Sequence, residues 1–215
     1  MTPNREDYLK LIFELGGDTN KISNKQIVAG INVSAASVSE MISKLVKEKL
    51  VEHVPYQGVQ LTESGLQKAS TLIRKHRLWE VFLVEHLKFQ WNEVHDEAEI
   101  LEHATSKTLA THLDEYLHFP EYCPHGGIIP KDGQAIHETR HQTLIDFPVG
   151  TSIQISRVLD EKALLDYLVQ QDVRLNEQYK IIDIASYEGP VTIQNEEKTI
   201  ALSYKAASTI FVTAI

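Results

Sequence analysis

A chain of 215 residues is too long for one small core and has room for two or three compact units. Its 42% hydrophobic and 24% charged residues are ordinary globular composition and exclude wholesale disorder. The net charge of −9 argues on average against nucleic acid, but it is uneven. Lys plus Arg against Asp plus Glu runs 8 to 8 over residues 1–71, 7 to 12 over 72–142, and 6 to 10 over 143–215.

In chain order, Pro3 after Thr2 and before Glu6 and Asp7 predicts a helix start. Tyr8, Leu11, Ile12 and Leu15 recur at helical spacing until Gly16-Gly17 stops the run. Ser23 caps a short second helix carrying Ile27 and Val28 and ending at Gly30. Ser34 opens a third, with Val38, Met41, Ile42, Leu45 and Val46 on its apolar face. Leu50–Val54 and Val59–Leu61 flank Pro55-Tyr56-Gln57-Gly58, a strand–turn–strand signal. Three helices and a β-hairpin in about 60 residues make a winged helix-turn-helix.

Thr62 and its neighbours cap a long helix running to about Leu87. Helical stretches follow at His95–Ala104 and Ser106–Leu117, and the aperiodic, Pro- and Gly-bearing segment Phe119–Gly133 reads as loop. From Leu144 the texture changes to short β-branched stretches: Ser152–Val158, Tyr179–Ile184, Val191–Gln194 and Thr199–Leu202, with one helix at Lys162–Gln171. These suggest a small β-barrel. The fold class is therefore mainly α with a β C-terminal part.

No apolar run approaches the roughly 18 residues a membrane helix needs, and the polar start does not read as a secretory signal. The single cysteine, Cys123, excludes an intrachain disulfide framework and points to a reducing compartment. A cytoplasmic protein without a membrane partner is expected.

Nine of the ten histidines lie between His76 and His141, among the excess carboxylates. The best local signal is HDEAEILEH, His95 to His103. On one helix Glu99 and His103 stand one turn apart, Glu102 beside them, and His95 one turn before Glu99. Imidazole and carboxylate together suit Mn, Fe, Co or Zn. The preceding helix carries His76 and Glu80, again at i, i+4. A solvated helix face with charge pairs is the plainer reading of the same spacing.

Cys123 and His125 are two residues apart in a loop, whereas a catalytic thiol and its base usually come from separate elements. No enzyme is expected. The pair suits a metal better, with a buried inert cysteine beside a surface histidine as the plain alternative. In the third helix, small residues at the start let the backbone approach base edges, and Lys44, Lys47 and Lys49 can meet phosphates. There too the plain alternative stands: Ser34 as a mere N-cap and the lysines as a solubilising surface.

The order of elements, with RKHRLWEVFLVEHL (Arg74–Leu87), VHDEAEILEH (Val94–His103) and CPHGG (Cys123–Gly127), resembles the diphtheria-toxin-repressor family of metal-dependent regulators. Within it the similarity is to streptococcal manganese-dependent repressors of the ScaR/SloR type. The resemblance spans nearly the whole chain. It implies a winged-helix DNA-binding domain at 1–71, a dimerisation and metal-binding domain at 72–142, and an SH3-like (FeoA-like) domain at 143–215. It further implies a homodimer that binds double-stranded palindromic operator DNA and represses metal-uptake genes.

By position, Asp7, His76, Glu99, Glu102 and His103 match the family's trigger site, with Asp7 and Glu99 where the iron-type branch has softer Met and Cys. Hard ligands favour Mn(II). Glu80, Cys123 and His125 match a second site, with Asp160 as the implied fourth ligand and His95 as the iron-type branch's alternative. Two ions per chain follow, with Zn(II), Cd(II) or Fe(II) as possible substitutes. Base edges and phosphates are expected to meet Ser34, Ala36, Ser37, Ser39, Lys44 and Lys47. A metal-buffering scaffold whose winged helix contacts a protein is the alternative function.

Overall fold

The computed structural model describes residues 3–31, 33–137 and 142–215; Thr2, assigned above to the first helix start, lies outside them. Two compact units emerge. The first holds the N-terminal helices, a hairpin, the fourth helix through Trp79, the fifth from Glu99, and the sixth. The second holds Glu80–Ala98, Tyr122–Ile128 and the C-terminal sheet.

In the first unit, α1 (Pro3–Glu14) ends where the sequence placed its stop. The Gly17 amide donates to the Ile12 carbonyl and that of Gly16 to Phe13, both at 2.8 Å, a Schellman closure. Helix α2 (Asn24–Ile31) begins with a reciprocal cap: the Ser23 amide donates to Gln26 Oε1 at 3.0 Å, and the Gln26 amide to Ser23 Oγ at 3.3 Å. It runs one residue past the expected end at Gly30. Helix α3 (Ala35–Lys47) is capped by Ser34, whose Oγ accepts from the Ser37 amide at 3.1 Å. Leu9, Ile12, Phe13, Ile27, Val38, Ile42 and Leu45 close the core between these helices.

The hairpin pairs β1 (Val51–Val54) with β2 (Gly58–Leu61), in register Val51 to Leu61 and Val54 to Gly58. Ile22 and Val59 exchange backbone hydrogen bonds of 2.7 and 2.9 Å, stapling the hairpin to the segment before α2. Gly58 permits this: its φ is +118°, and a Cβ there would stand 2.4 Å from the Ile22 carbonyl oxygen. Helix α4 (Glu63–Glu85) starts at Thr62, whose Oγ1 accepts from the Gly65 amide at 3.1 Å, and sends Leu66, Ala69 and Ile73 into the same core. This is a winged helix-turn-helix, as the sequence indicated.

Helices α5 (His95–Ala104) and α6 (Lys107–Tyr116) follow. Arg74 Nη2 donates to Asp114 Oδ2 at 2.6 Å, joining α4 to α6, and Trp79 Nε1 donates to Thr105 Oγ1 at 2.7 Å.

The second unit carries a five-stranded antiparallel sheet of β3 (Ser152–Val158), β4 (Gln178–Ile184), β5 (Val191–Gln194), β6 (Thr199–Leu202) and β7 (Ile210–Ala214), ordered β6-β5-β4-β3-β7. Register shifts at Ile155/Arg157 and Ile181/Asp183 bend its long strands. Helix α7 (Lys162–Gln170) buries Leu164, Leu165 and Leu168 among Ile153, Ile155, Ile181 and Ile193. Three elements exceed the sequence reading: a 3-10 turn at Leu144–Asp146, β7, and a helical turn α8 (Tyr204–Ala207) whose cap Ser203 accepts from the Ala206 amide at 3.2 Å. The last strand supplies Ile210 and Val212 to the core, so the domain closes on its own C-terminal residues.

Candidate metal centres and the DNA-reading helix

Burial of Tyr8, Leu9, Ile12 and Phe13 fixes the roll of α1, and the fully buried Ala98 fixes that of α5. With those faces inward, Asp7 from α1 and Glu99, Glu102 and His103 from α5 converge. Their ligand atoms all lie within 4.8 Å of one another. His103 Nε2 is 2.9 Å from Asp7 Oδ1 and 3.6 Å from Glu102 Oε1. From α4, His76 reaches the same cluster, its Nδ1 2.5 Å from Glu102 Oε2 and 3.8 Å from Glu99 Oε2. The five residues assigned to the trigger site thus stand together.

The electrostatics are those of a site built for positive charge. The Glu102 side chain is wholly buried, and its Oε1 has no hydrogen-bond partner among the described residues. A buried carboxylate oxygen left in that state is costly unless a cation meets it. Burial pushes the Asp7 carboxyl above its ordinary value; His103 pulls it back, and Glu99 and Glu102 push it further up. Three carboxylates and two imidazoles form a hard oxygen and nitrogen set that fits a divalent cation.

Two further residues belong to this cluster and escaped the sequence reading. Glu6 Oε2 stands 2.8 Å from His103 Nδ1. Lys10 Nζ stands 2.6 Å from Glu99 Oε2 and 2.9 Å from both Glu102 Oε2 and His76 Nδ1. Burial favours the neutral amine of Lys10, but Glu102, Glu14 and Glu99 outweigh it and hold the ammonium well above its ordinary pKa. The sequence offers only a spacing, Lys10 being three residues from Asp7 on one face of α1, and nothing that sets it against α4 and α5.

A second cluster lies in the other unit. Glu80, Cys123 and His125 are all buried, with ligand atoms within 4.8 Å of one another. His125 Nδ1 is 3.0 Å from Glu80 Oε1 and 3.6 Å from Asp160 Oδ1. His125 Nε2 donates to the Trp91 carbonyl at 2.7 Å, which aims Nδ1 at the cluster. Burial would lower the His125 imidazole, but Glu80, Cys123 and Asp160 push it up to about 12. The sequence left open whether Asp160 or His95 completes this set. Both are here: His95 Nδ1 is 2.6 Å from Asp160 Oδ2, and Glu80, His95 and Asp160 also gather within 4.8 Å.

The loop bearing Cys123 and His125 is held by backbone as well as by side chains. Cys123 and Gly127 pair through a 2.9 Å hydrogen bond, and the Val158 amide of β3 donates to the His125 carbonyl at 3.0 Å. Gly126, at φ +82°, lies so close to β3 that a Cβ would stand 2.2 Å from the Ser156 carbonyl oxygen.

On α3, Ser34, Ala36, Ser37, Ser39, Lys44 and Lys47 are all exposed. Ser39 Oγ donates to the Ala35 carbonyl at 2.9 Å, and Ser34 Oγ lies 2.9 Å from Ser37 Oγ. Lys44 Nζ is paired with Glu40 at 2.7 Å, so its charge is partly answered within the helix. No ion pair is recorded for Lys47 among the described residues.

A winged helix joined to a helical segment rich in clustered His, Asp and Glu, and to a small β domain, defines a metal-responsive DNA-binding regulator. Three family models match in order: the iron dependent repressor N-terminal DNA binding domain at 1–59, the iron dependent repressor metal binding and dimerisation domain at 62–131, and the FeoA domain at 142–214. A solved structure of the manganese regulator SloR is 40% identical, covers 100% of both chains and superposes with a TM-score of 0.87. ScaR with bound Zn2+ is 37% identical over 99% of this chain and 100% of that one, with a TM-score of 0.88. The diphtheria toxin repressor of Corynebacterium glutamicum is 28% identical over 94% of this chain and 89% of its own. A probable metal transport system membrane protein of Chlamydia trachomatis is 45% identical over 87 residues, and the chain spans 19% of its length. The chain belongs to the diphtheria-toxin-repressor family: it is a metal-dependent transcriptional repressor and not an enzyme. No helix among the described residues is long and apolar enough to cross a membrane.

Proposed function

We propose that this repressor answers to Mn(II) and, as a cytoplasmic homodimer, binds palindromic operator DNA to control metal-uptake genes. The carrying observation is the convergence of Asp7, Glu99, Glu102 and His103, with His76 beside them, in a set without sulfur. Hard ligands suit Mn(II), and similarity to a protein described as a manganese regulator supports the same metal. A divalent cation supplies two positive charges and a fixed coordination sphere, offsetting the repulsion among the three carboxylates.

Asp7 reaches from α1 and Glu99, Glu102 and His103 from α5, so joint ligation fastens the DNA-reading helices to the helical middle of the chain. In this reading residues 1–71 read DNA, 72–142 dimerise and bind metal, and 143–215 form the SH3-like part. A dimer on a palindrome needs its two recognition helices about 34 Å apart or a multiple of that, so a fastened geometry raises operator affinity. By linkage, DNA raises metal affinity by the same factor. Glu80, Cys123 and His125, with Asp160 and His95 against them, form the second site of each chain. Its thiolate makes it more tolerant of Zn(II) and Cd(II).

The test is operator binding titrated with Mn(II), Fe(II), Zn(II) and Cd(II) at controlled free concentrations, for the wild type and Glu99→Ala. Binding that rises with Mn(II) in the wild type and not in the variant is expected. An equal response in both removes the site from the switch.

A further inference from the structure

We propose that Lys10 is a built-in placeholder cation: its ammonium occupies the trigger site in the metal-free protein and must be displaced when a divalent ion enters. The inference rests on the trigger site proposed above, and adds to it the residue that sets how much metal is needed.

The geometry is specific. Lys10 is 5% exposed, an unusual place for an ammonium, and it is buried among candidate ligands. Its Nζ lies 2.6 Å from Glu99 Oε2, 2.9 Å from Glu102 Oε2 and 2.9 Å from His76 Nδ1. An ammonium has three N–H donors, and here three candidate ligand atoms stand within their reach. Glu102 Oε2 and His76 Nδ1 are themselves only 2.5 Å apart. That is a hydrogen-bond distance, so His76 Nδ1 either donates to Glu102 or accepts from the ammonium, according to its tautomer, while Glu99 and Glu102 accept from Lys10 in both cases.

The charge argument points the same way. Asp7, Glu99 and Glu102 would repel one another if left alone, and Lys10 offsets part of that repulsion without any metal. A divalent ion brings more charge to the same oxygens, but cannot share Glu99 Oε2 and Glu102 Oε2 with an ammonium in contact with both. Metal entry is therefore an exchange of cations. The side chain, on four flexible methylenes, can swing away along α1. The exchange weakens net metal affinity, which places the switching threshold at a higher free metal concentration.

The experiment measures Mn(II) affinity and stoichiometry by calorimetry on the full chain, for wild type, Lys10→Met and Lys10→Arg, alongside melting with and without metal. Lys10→Met removes the competing charge and is expected to bind Mn(II) about tenfold more tightly or better. Its metal-free form should melt lower, so the metal-induced rise in Tm widens. Lys10→Arg keeps the charge and should not gain affinity. If Lys10→Met does not fold without metal, Lys10→Gln keeps donors for Glu99 and Glu102 and carries the same expectation. Affinity unchanged or weakened in the neutral variants overturns the proposal. So does an extra bound ion with first-ion affinity unchanged, which would make Lys10 a guard against a second ion. Glu99→Ala in the same series separates the two readings. If it binds Mn(II) as the wild type does, the trigger site itself is wrong; if it does not while Lys10→Met is neutral, only the placeholder fails.

Discussion

His103 and Glu6 are joined through the ring nitrogen that does not face the candidate metal ligands: Nδ1 lies 2.8 Å from Glu6 Oε2, while Nε2 points at Asp7 Oδ1, 2.9 Å away. A carboxylate at Nδ1 favours a proton there, which would leave Nε2 to ligate a cation entering between it and Asp7. Removing Glu6 should leave every ligand in place and still weaken the site. Glu6→Ala is expected to lower metal affinity roughly 10- to 100-fold. Calorimetry with Mn(II) checks this, and an affinity equal to that of the wild type would show that His103 needs no such support.

Cys123 is the single cysteine of the chain and stands in the second cluster. Cys123→Ser should bind one ion fewer per chain when Zn(II) or Cd(II) is offered, and should keep some metal-stimulated DNA binding through Asp7, Glu99, Glu102 and His103. Metal content of the purified variant beside its operator affinity decides the matter. An unchanged ion count would remove Cys123 from the ligands, and a lost metal response with the first site filled would make the second site the trigger.

The two lysines on α3 should differ. Lys44 is held by Glu40 at 2.7 Å, an exposed pair that water and salt screen, while no ion pair holds Lys47 among the described residues. Lys47→Ala should weaken all duplexes and reduce the dependence of binding on salt by about one ion, and Lys44→Ala should do so less. Ser37→Ala, at the exposed start of the helix, should alter sequence preference modestly. Binding isotherms over a salt series on operator and unrelated duplexes measure all three. An identical loss for every substitution on every sequence would reduce α3 to a nonspecific anchor.

Arg74 and Asp114 test the helical middle. Their 2.6 Å contact is nearly buried, the side chains 7% and 15% exposed. Burial raises the Asp114 carboxyl above its ordinary value, and Arg74 pulls it back down. Asp114→Ala strands the guanidinium, and such stranding costs about 3–5 kcal/mol. Replacing both by apolar residues should recover much of the loss. Denaturant unfolding of the two single variants and the double variant measures this, and strict additivity would mean the pair does not act as one.

Much of this was readable beforehand, for definite reasons. The helix His95–Ala104 was legible because its His and Glu residues recur at helical spacing. Strands β3, β5 and β6 were legible through β-branched runs between Gly, Pro and Asn turns. Strand β7 was not, although Ile210-Phe211-Val212 is a strand signal, because no Gly, Pro or Asn turn sets it off from the preceding Ser203–Thr209. Its role as partner of β3 is a long-range fact. Lys10 and Glu6 were invisible for a related reason. On α1 they look like ordinary surface charges, and only the arrival of α4 and α5 turns them toward His76, Glu99, Glu102 and His103. The choice between His95 and Asp160 rested on the same kind of fact, and the fold brings both to the place.

Gly126 shows how the loop of Cys123 and His125 divides its labour. The Ser156 carbonyl forbids a side chain at residue 126, so the path of the loop is dictated by a strand that bears none of the candidate ligands. Chemistry at 123 and 125 can drift, thiol to carboxylate or imidazole to amide, without disturbing that path. In a lineage of such proteins, the identity of an ion held there would then be free to change by one or two substitutions while its place stayed fixed. A single methyl group at 126 does the reverse: it leaves the ligands' chemistry intact and takes away the place where they meet.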